Sequence, residues 1–136
     1  MTDLPVQITY EVLQHLEALQ IPYMLVGSVA SSIRGIARST VDADVVLDLR
    51  PNQLQSLVAR LESDFYVSAE AALDAIHRQS MFNVIQFSSG FKVDLYVLGR
   101  GEFERHEFSR RQAIEVEGQR IWVATPEDLI LGPGAE

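Results

Sequence analysis

The sequence predicts a single α+β domain that spans all 136 residues. Three observations support this fold class. Apolar residues recur at helical spacing in several segments, one segment alternates strictly between apolar and mainly acidic residues, and four β-rich runs are joined in pairs by turn residues. A hydrophobic content of 47% is enough for one core of this size, and no internal repeat or low-complexity tract divides the chain.

The first part of the chain predicts two helices and two strands. Apolar residues three and four positions apart predict a helix from about Val6 to Gln20, which a proline then ends. The apolar run Tyr23–Val26 predicts a short buried strand, which leads through Gly27-Ser28 into a helix of small residues at 29–34. Strict alternation from Val41 to Leu49 then predicts a strand with one acidic face.

The rest of the chain predicts three further helical segments and two hairpins. A proline opens a helix over 51–64, whose apolar residues lie at i, i+3, i+4 and i+7. A short helix at 69–78 is predicted to direct Ala72, Leu73 and Ile76 inward. The other predicted elements are a short strand at 65–67, an antiparallel hairpin of 81–87 with 91–98, a surface loop or short helix at 101–112, a second hairpin of 114–116 with 121–123, and a helix that starts at Thr125-Pro126.

Composition argues against several classes of protein. The net charge of −8 opposes binding to extended nucleic acid, although a bound divalent cation would make an acidic pocket attractive to a mononucleotide. The chain has no cysteine, which excludes disulfides and thiolate metal sites, and its three histidines are too scattered to predict a zinc site. Neither a signal peptide nor a membrane span is predicted, so a cytoplasmic protein is expected.

Asp42, Asp44 and Asp94 are the candidate catalytic and metal-binding residues. On a strand, residues i and i+2 point to the same side, so Asp42 and Asp44 can direct their carboxylates at one metal ion or ion pair. A solvated strand face explains such a pair equally well. Asp94 lies on the polar face of the run 91–98, where it could complete a metal site or take a proton from an attacking hydroxyl.

Five residues are candidates for binding the phosphates of a nucleotide. Gly27 allows close approach of the backbone and Ser28 can donate its hydroxyl, although a Gly-Ser pair alone is more typical of a helix cap. Arg34 and Arg38 flank this turn with a donor fork that suits phosphate oxygens, but a surface ion pair explains either of them too. Lys92, the only lysine, shares a strand face with the third carboxylate and could contact a phosphate or pair with an acid.

These motifs resemble those of a known family. A hydrophobic strand, Gly27-Ser28, a spacer and Asp42-Ala43-Asp44 resemble the signature of the nucleotidyltransferase superfamily, which includes DNA polymerase beta, the aminoglycoside nucleotidyltransferases and the minimal nucleotidyltransferases. Arg34-Gly35 and the run 38–44 further resemble the bacterial branch with antitoxin-type and AbiEii-like members. The segment 125–130 is similar to the usual start of the C-terminal helices in that branch.

The resemblance covers residues from about 23 to 131 and implies a mixed, mostly antiparallel sheet with helices packed on one side. It implies that the three aspartates bind Mg²⁺, as a pair of ions, and that the Gly-Ser pair holds the phosphates of a nucleoside triphosphate. The implied reaction is attack of an acceptor hydroxyl on the α-phosphate, with release of pyrophosphate.

Three functions remain open on the sequence alone. The first is a Mg²⁺-dependent nucleotidyltransferase that modifies a protein or RNA partner, as in an antitoxin-like enzyme. The second is a catalytically weak or inactive member that binds a nucleotide or a partner, which the early end of the last helix at Gly132-Pro133-Gly134 favours. The third is a small-molecule nucleotidyltransferase of the aminoglycoside type, for which the sequence shows no acceptor pocket.

Overall fold

The computed structural model describes residues 4–34 and 42–131. Its helices are α1 (Leu4–Ala18), α2 (Gly27–Ile33), α3 (Leu54–Leu61), α4 (Ala69–Arg78), α5 (Glu102–Ser109) and α6 (Pro126–Leu131). Its strands are β1 (Tyr23–Val26), β2 (Ala43–Leu47), β3 (Phe65–Val67), β4 (Met81–Gln86), β5 (Lys92–Val97), β6 (Gln112–Val116) and β7 (Gln119–Val123). A 3-10 turn at Pro51–Gln53 leads into α3.

The seven strands of the described part form one mixed sheet in the order β3-β4-β5-β2-β1-β7-β6. β2 pairs in parallel with β5, and β1 pairs in parallel with β7. The remaining neighbours are antiparallel, which includes both predicted hairpins, β4 with β5 and β6 with β7. The expected mixed, mostly antiparallel α+β fold is therefore confirmed. Over the described ranges, no helix combines the length and the apolar character that a membrane crossing requires.

The two faces of the central strand β2 differ in burial. Ala43, Val45 and Leu47 are fully buried, whereas Asp44 and Val46 are partly exposed. The buried residues belong to a hydrophobic core that also contains the apolar stripe of α1 and the inward leucines of α3. Because successive strand residues alternate between faces, the core fixes the orientation of the strand and leaves its acidic face available for a site.

The strand predicted over Val41–Leu49 is shorter in the structure. β2 covers only Ala43–Leu47, because β1 and β5 pair with these residues and not beyond them. Asp42 lies in a bend directly before the strand, and Val41 falls outside the described residues. Of the three acids in the predicted strand, Asp42, Asp44 and Asp48, only Asp44 therefore lies within β2.

The inward face of α4 also differs from the predicted one. Leu73 is exposed, with 40% of its surface accessible, while Ala72 and Ala75 are buried and Ile76 is half-buried. Small side chains at i and i+3 let the helix backbone pack closely against its neighbours, so the larger Leu73 is directed outward. The predicted start of the last helix is confirmed, with Thr125 Oγ1 accepting a hydrogen bond from the backbone N–H of Asp128 at 3.1 Å.

Candidate active site

Two neighbouring parallel strands bring the predicted carboxylates together. Asp44 on β2 lies directly opposite Asp94 on β5 in the strand register, and Asp42 immediately precedes β2. Neighbouring strands lie about 4.8 Å apart, so opposite residues on the same face are close neighbours. The alternation within each strand predicts the face of these side chains, but only the parallel pairing of β2 with β5 makes them adjacent.

Lys92 lies between two of these carboxylates. Its Nζ atom is 3.7 Å from Asp42 Oδ2 and 3.7 Å from Asp94 Oδ1. The side chain of Asp94 is only 10% exposed, whereas that of Lys92 is 42% exposed. Lys92 therefore places a partly solvated cation beside a buried acid. Of its two predicted roles, the structure shows the ion pairs with acids.

The environment of Asp44 and Asp94 disfavours the ionised form of their carboxylates. Burial raises the pKa of Asp44, and the charges of Asp42 and Asp94 add to that rise, while a hydrogen bond from Tyr96 and the charge of Lys92 oppose it. Burial also raises the pKa of Asp94, with Lys92 opposing the rise and Asp42 adding to it. Ionised carboxylates that are partly desolvated and close together favour the binding of a cation.

Tyr96 also belongs to the site, although it is not among the residues predicted from the sequence pattern. Its hydroxyl donates a hydrogen bond to Asp44 Oδ1 at 3.2 Å. Burial and the charge of Asp44 raise the pKa of Tyr96 to about 12, so its hydroxyl remains a proton donor at neutral pH. The signal was present in the sequence, because Lys92, Asp94 and Tyr96 follow one another at a spacing of two on one strand.

Gly27 and Ser28 lie directly against the carboxylates. The backbone of Gly27 has φ +73°, and a Cβ atom at this position would overlap Asp44 Oδ2. The Ser28 hydroxyl donates a long hydrogen bond of 3.4 Å to the backbone carbonyl of Asp42. The absence of a side chain at Gly27 thus lets the start of α2 approach the acidic strand, which brings the predicted phosphate-binding turn to the carboxylates.

Of the two arginines predicted to bind phosphate, only Arg34 lies within the described residues. Arg34 donates from Nε to the carbonyl of Ala124 at 3.0 Å and from Nη2 to Gln112 Oε1 at 2.9 Å. These bonds tie the end of α2 to the start of β6 and to the connection between β7 and α6. Contact of Arg34 with a triphosphate stays a prediction, and it would require the remaining donors of the guanidinium. Arg38 lies outside the described residues.

The chemistry of the site fits a divalent cation. Carboxylate oxygens are the hard ligands that Mg²⁺ prefers, and buried Asp94 Oδ1 has no hydrogen-bond partner among the described residues. In the same part of the chain, however, no group of three or more acidic, histidine or cysteine side chains is already arranged to hold a metal ion. Lys92 supplies the compensating charge in this structure, so cation binding would require its ammonium to move aside.

A cavity of about 330 Å³ adjoins the carboxylate of Asp44. Met24, Val26 and Val46 form an apolar part of its wall, together with Asp44 and Tyr96. Gly27 and Val97 also line the cavity, as do residues from the end of α4, the loop after β5 and the face of α5: Arg78, Gln79, Leu98, Gly99, Glu104 and Glu107. The charged sequence of the α5 region predicts only a surface loop or short helix, so the cavity does not follow from the sequence.

The fold and this arrangement of acids define the class of structure: the chain has the nucleotidyltransferase fold. No protein-family model matches the sequence, and no curated protein matches it significantly. Among solved structures, the chain is similar to the Thermotoga maritima protein TM1012, described as a nucleotidyltransferase, with a TM-score of 0.61 and 13% identity over 93% of this chain and 80% of that one.

Two structures solved with a bound small molecule have the same fold. The lincosamide antibiotic adenylyltransferase LnuA, solved with lincomycin bound, superposes with a TM-score of 0.64 and 12% identity over 93% of this chain and 84% of the enzyme. ANT(2'')-Ia, solved in complex with adenylyl-2''-tobramycin, gives a TM-score of 0.58 and 15% identity over 92% of this chain and 71% of the enzyme. Likeness at this level of identity establishes the fold and not the substrate.

Proposed function

We propose that the protein is a Mg²⁺-dependent nucleotidyltransferase that moves a nucleoside monophosphate from a nucleoside triphosphate to an acceptor hydroxyl. The observation that carries this proposal is the juxtaposition of Asp44 and Asp94 on paired strands, with the Gly27-Ser28 turn against Asp44. A fold shared with two adenylyltransferases supports the same reaction class. The proposed reaction would take place in the cytoplasm, where nucleoside triphosphates and Mg²⁺ are abundant.

In this proposal the acids and the turn have separate roles. Asp42, Asp44 and Asp94 would hold Mg²⁺, which supplies positive charge against the phosphate oxygens when bound. Gly27 and Ser28 would hold the phosphates through their backbone N–H groups and the serine hydroxyl.

The proposed reaction forms one bond and breaks one. The acceptor oxygen attacks the α-phosphorus, the bond from that phosphorus to the bridging α,β oxygen breaks, and pyrophosphate leaves with its electrons. The acceptor proton passes to a carboxylate, for which Asp94 is suited because burial raises its pKa. Lys92, once displaced from the acids, would be free to contact the departing phosphates.

Two kinds of acceptor are compatible with this chemistry. A hydroxyl on a protein or RNA partner is the acceptor expected for an antitoxin-like enzyme. A small-molecule acceptor is the second candidate, and the cavity of about 330 Å³ beside Asp44 favours it. Pockets for small molecules have volumes of about 300 to 1,000 Å³, so the cavity lies at the lower end of that range.

The proposal is tested by incubating the protein with each α-labelled nucleoside triphosphate, Mg²⁺ and a cell lysate, and then separating macromolecules from small molecules. We expect label in one of these fractions, and its loss in Asp42→Ala and Asp44→Ala. Asp64→Asn, which changes an exposed aspartate, is the matched control that should keep transfer. If the wild type labels nothing but binds Mg-nucleotide in calorimetry, the chain is a nucleotide-binding module and not a transferase. If it neither labels an acceptor nor binds Mg-nucleotide, the proposal is wrong.

A further inference from the structure

Asn83 on β4 lies on the acidic face of the sheet. Its neighbours in the chain, Phe82 and Val84, are buried in the core, so the alternation of the strand directs Asn83 to the opposite face. In the strand register Asn83 stands directly opposite Asp94, which itself lies opposite Asp44. Asn83 is half-buried, and its side chain makes no hydrogen bond to another described residue. A free amide therefore extends the row of carboxylates by one strand.

The pairing of β4 with β5 brings this amide close to Asp94. The backbone N–H of Gln86 donates to the carbonyl of Phe91 at 3.0 Å, so these two residues are a hydrogen-bonded pair of the antiparallel ladder. Because the two kinds of pair alternate, the third pair along, Asn83 with Asp94, is a non-hydrogen-bonded pair. The Cα atoms of such a pair lie about 4.5 Å apart, against about 5.5 Å in the other kind, so the two side chains are within contact range.

The carboxylate of Asp94 needs a hydrogen-bond donor. Asp94 is 7% exposed, and its Oδ1 atom has no hydrogen-bond partner among the described residues. The Nζ atom of Lys92 lies 3.7 Å from Oδ1, which is too long for a hydrogen bond. If a divalent cation displaces the ammonium from the acids, Oδ1 also loses this compensating charge. A buried carboxylate oxygen without a donor is costly, so the metal-bound site requires a second partner for it.

The other two residues of β4 on this face cannot supply that donor. Met81 lies opposite Tyr96, and Ile85 lies opposite Lys92. Neither Met81 nor Ile85 has an N–H or O–H group in its side chain, and the Tyr96 hydroxyl already donates to Asp44. Asparagine is disfavoured in strands, so an amide at the one position that faces the buried acid fits a role in the site.

We infer that Asn83 is a positioning residue for the third carboxylate. When a divalent cation replaces the ammonium of Lys92, the Asn83 amide donates a hydrogen bond to Asp94 Oδ1 and leaves Oδ2 for the cation or the acceptor proton. Asn83 itself contacts neither the phosphates nor the acceptor. This inference rests on the proposed function, since it concerns the metal-bound state of that site.

Selective labelling follows this amide directly, because the chain has only two asparagines, Asn52 and Asn83. Protein labelled with ¹⁵N at asparagine gives two pairs of side-chain amide signals, and Asn83→Leu assigns them. Asn52 is exposed in the 3-10 turn before α3 and is the internal control. Titration of the full chain with Mg²⁺ should move one side-chain proton of Asn83 downfield, as a new hydrogen bond to a carboxylate does, and leave the signals of Asn52 unchanged.

Calorimetry with Mn²⁺ measures the effect of the amide on the metal site. Asn83→Leu keeps the approximate volume of the side chain and should weaken Mn²⁺ binding about tenfold, the size expected for a lost hydrogen bond to a charged group. Asn52→Leu is the matched control and should bind as the wild type does. In the Asp94→Asn background, Asn83→Leu should have no further effect, because Asn83 acts through that carboxylate. Without metal, Asn83→Leu should melt no lower than the wild type, whereas a purely structural amide would lower Tm with or without metal.

Four results would overturn the inference: unmoved Asn83 signals in Mg²⁺, undiminished Mn²⁺ affinity in Asn83→Leu, an equal loss in the Asp94→Asn background, or a lower Tm without metal. The backbone amide signal of Asp44 reports metal binding independently of Asn83. If that signal shifts while the Asn83 side chain does not, the positioning role is wrong and the metal site stands. If neither shifts, the inference is wrong, and the labelling reaction with α-labelled triphosphates decides separately whether nucleotidyl transfer occurs.

Discussion

Gly27→Ala, compared with Gly90→Ala, isolates the contact between the Gly-Ser turn and the acidic strand. The two glycines have almost the same backbone conformation, with φ +73° and +75°. A side chain in this left-handed region costs about 1 to 2 kcal/mol, so both variants should lose that amount of stability. A Cβ atom at Gly90 meets nothing within 4 Å, whereas at Gly27 it overlaps the carboxylate of Asp44. Overpacking of this kind adds about 1 to 3 kcal/mol.

The assay is thermal unfolding combined with titration of Mn²⁺ as a stand-in for Mg²⁺. For a domain of this size 1 kcal/mol corresponds to about 3 °C, so Gly90→Ala should lower Tm by about 3 to 6 °C and Gly27→Ala by about 6 to 15 °C. Gly27→Ala should also weaken Mn²⁺ binding, because Asp44 has to move, while Gly90→Ala should not. Equal Tm losses with equal Mn²⁺ affinity would refute the close approach of the turn to Asp44.

Three further substitutions test the charges of the site. Because burial raises the pKa of Asp94 above its unfolded value, the free energy of unfolding should fall as pH rises through the folded-state pKa. Asp94→Asn removes that fall and should raise Tm at pH 7, unlike the exposed control Asp64→Asn. A lower Tm would show that the ion pair with Lys92 outweighs the cost of burial and would contradict the expectation. Tyr96→Phe removes a hydrogen bond to Asp44 and should lower Tm by about 3 °C. The pKa of the Asp44 carboxyl, followed by carbon NMR titration, should rise, and an unchanged titration would exclude the hydrogen bond. Lys92→Met removes the competing cation and should tighten Mn²⁺ binding several-fold in calorimetry, and weaker binding would contradict the exchange of lysine for metal.

Local pattern predicted the parts of this fold that depend on neighbouring residues in sequence. The hairpin of β4 with β5 and the face of Asp44 follow from turn composition and from alternation, and both agree with the structure. The order of strands in the sheet does not follow from such signals. Between β2 and β5 lie the 3-10 turn, two helices and two strands, so the proximity of Asp44 to Asp94 rested on the family resemblance.

The features that sequence reasoning missed depend on tertiary packing. Leu73 was predicted inward because helical periodicity does not distinguish it from Ala72 and Ala75, and only the close packing of α4 makes the difference. Glu107 was part of a charged run that is typical of a solvated surface, yet the fold buries it against the cavity. Tyr96 could have been found by extending the spacing of two from Lys92 and Asp94.

The most direct test of nucleotidyl transfer is a pair of parallel reactions with the same nucleoside triphosphate, labelled either at the α-phosphate or at the γ-phosphate, in the presence of Mg²⁺ and a cell lysate. The lysate is heat-treated first, so that its own kinases and phosphatases are inactive. If the carboxylates of β2 and β5 direct attack on the α-phosphorus, the acceptor should then carry the α label and the γ label should appear only in pyrophosphate. Asp44→Asn should abolish both signals. Recovery of the γ label on the acceptor would contradict nucleotidyl transfer and show phosphoryl transfer in its place.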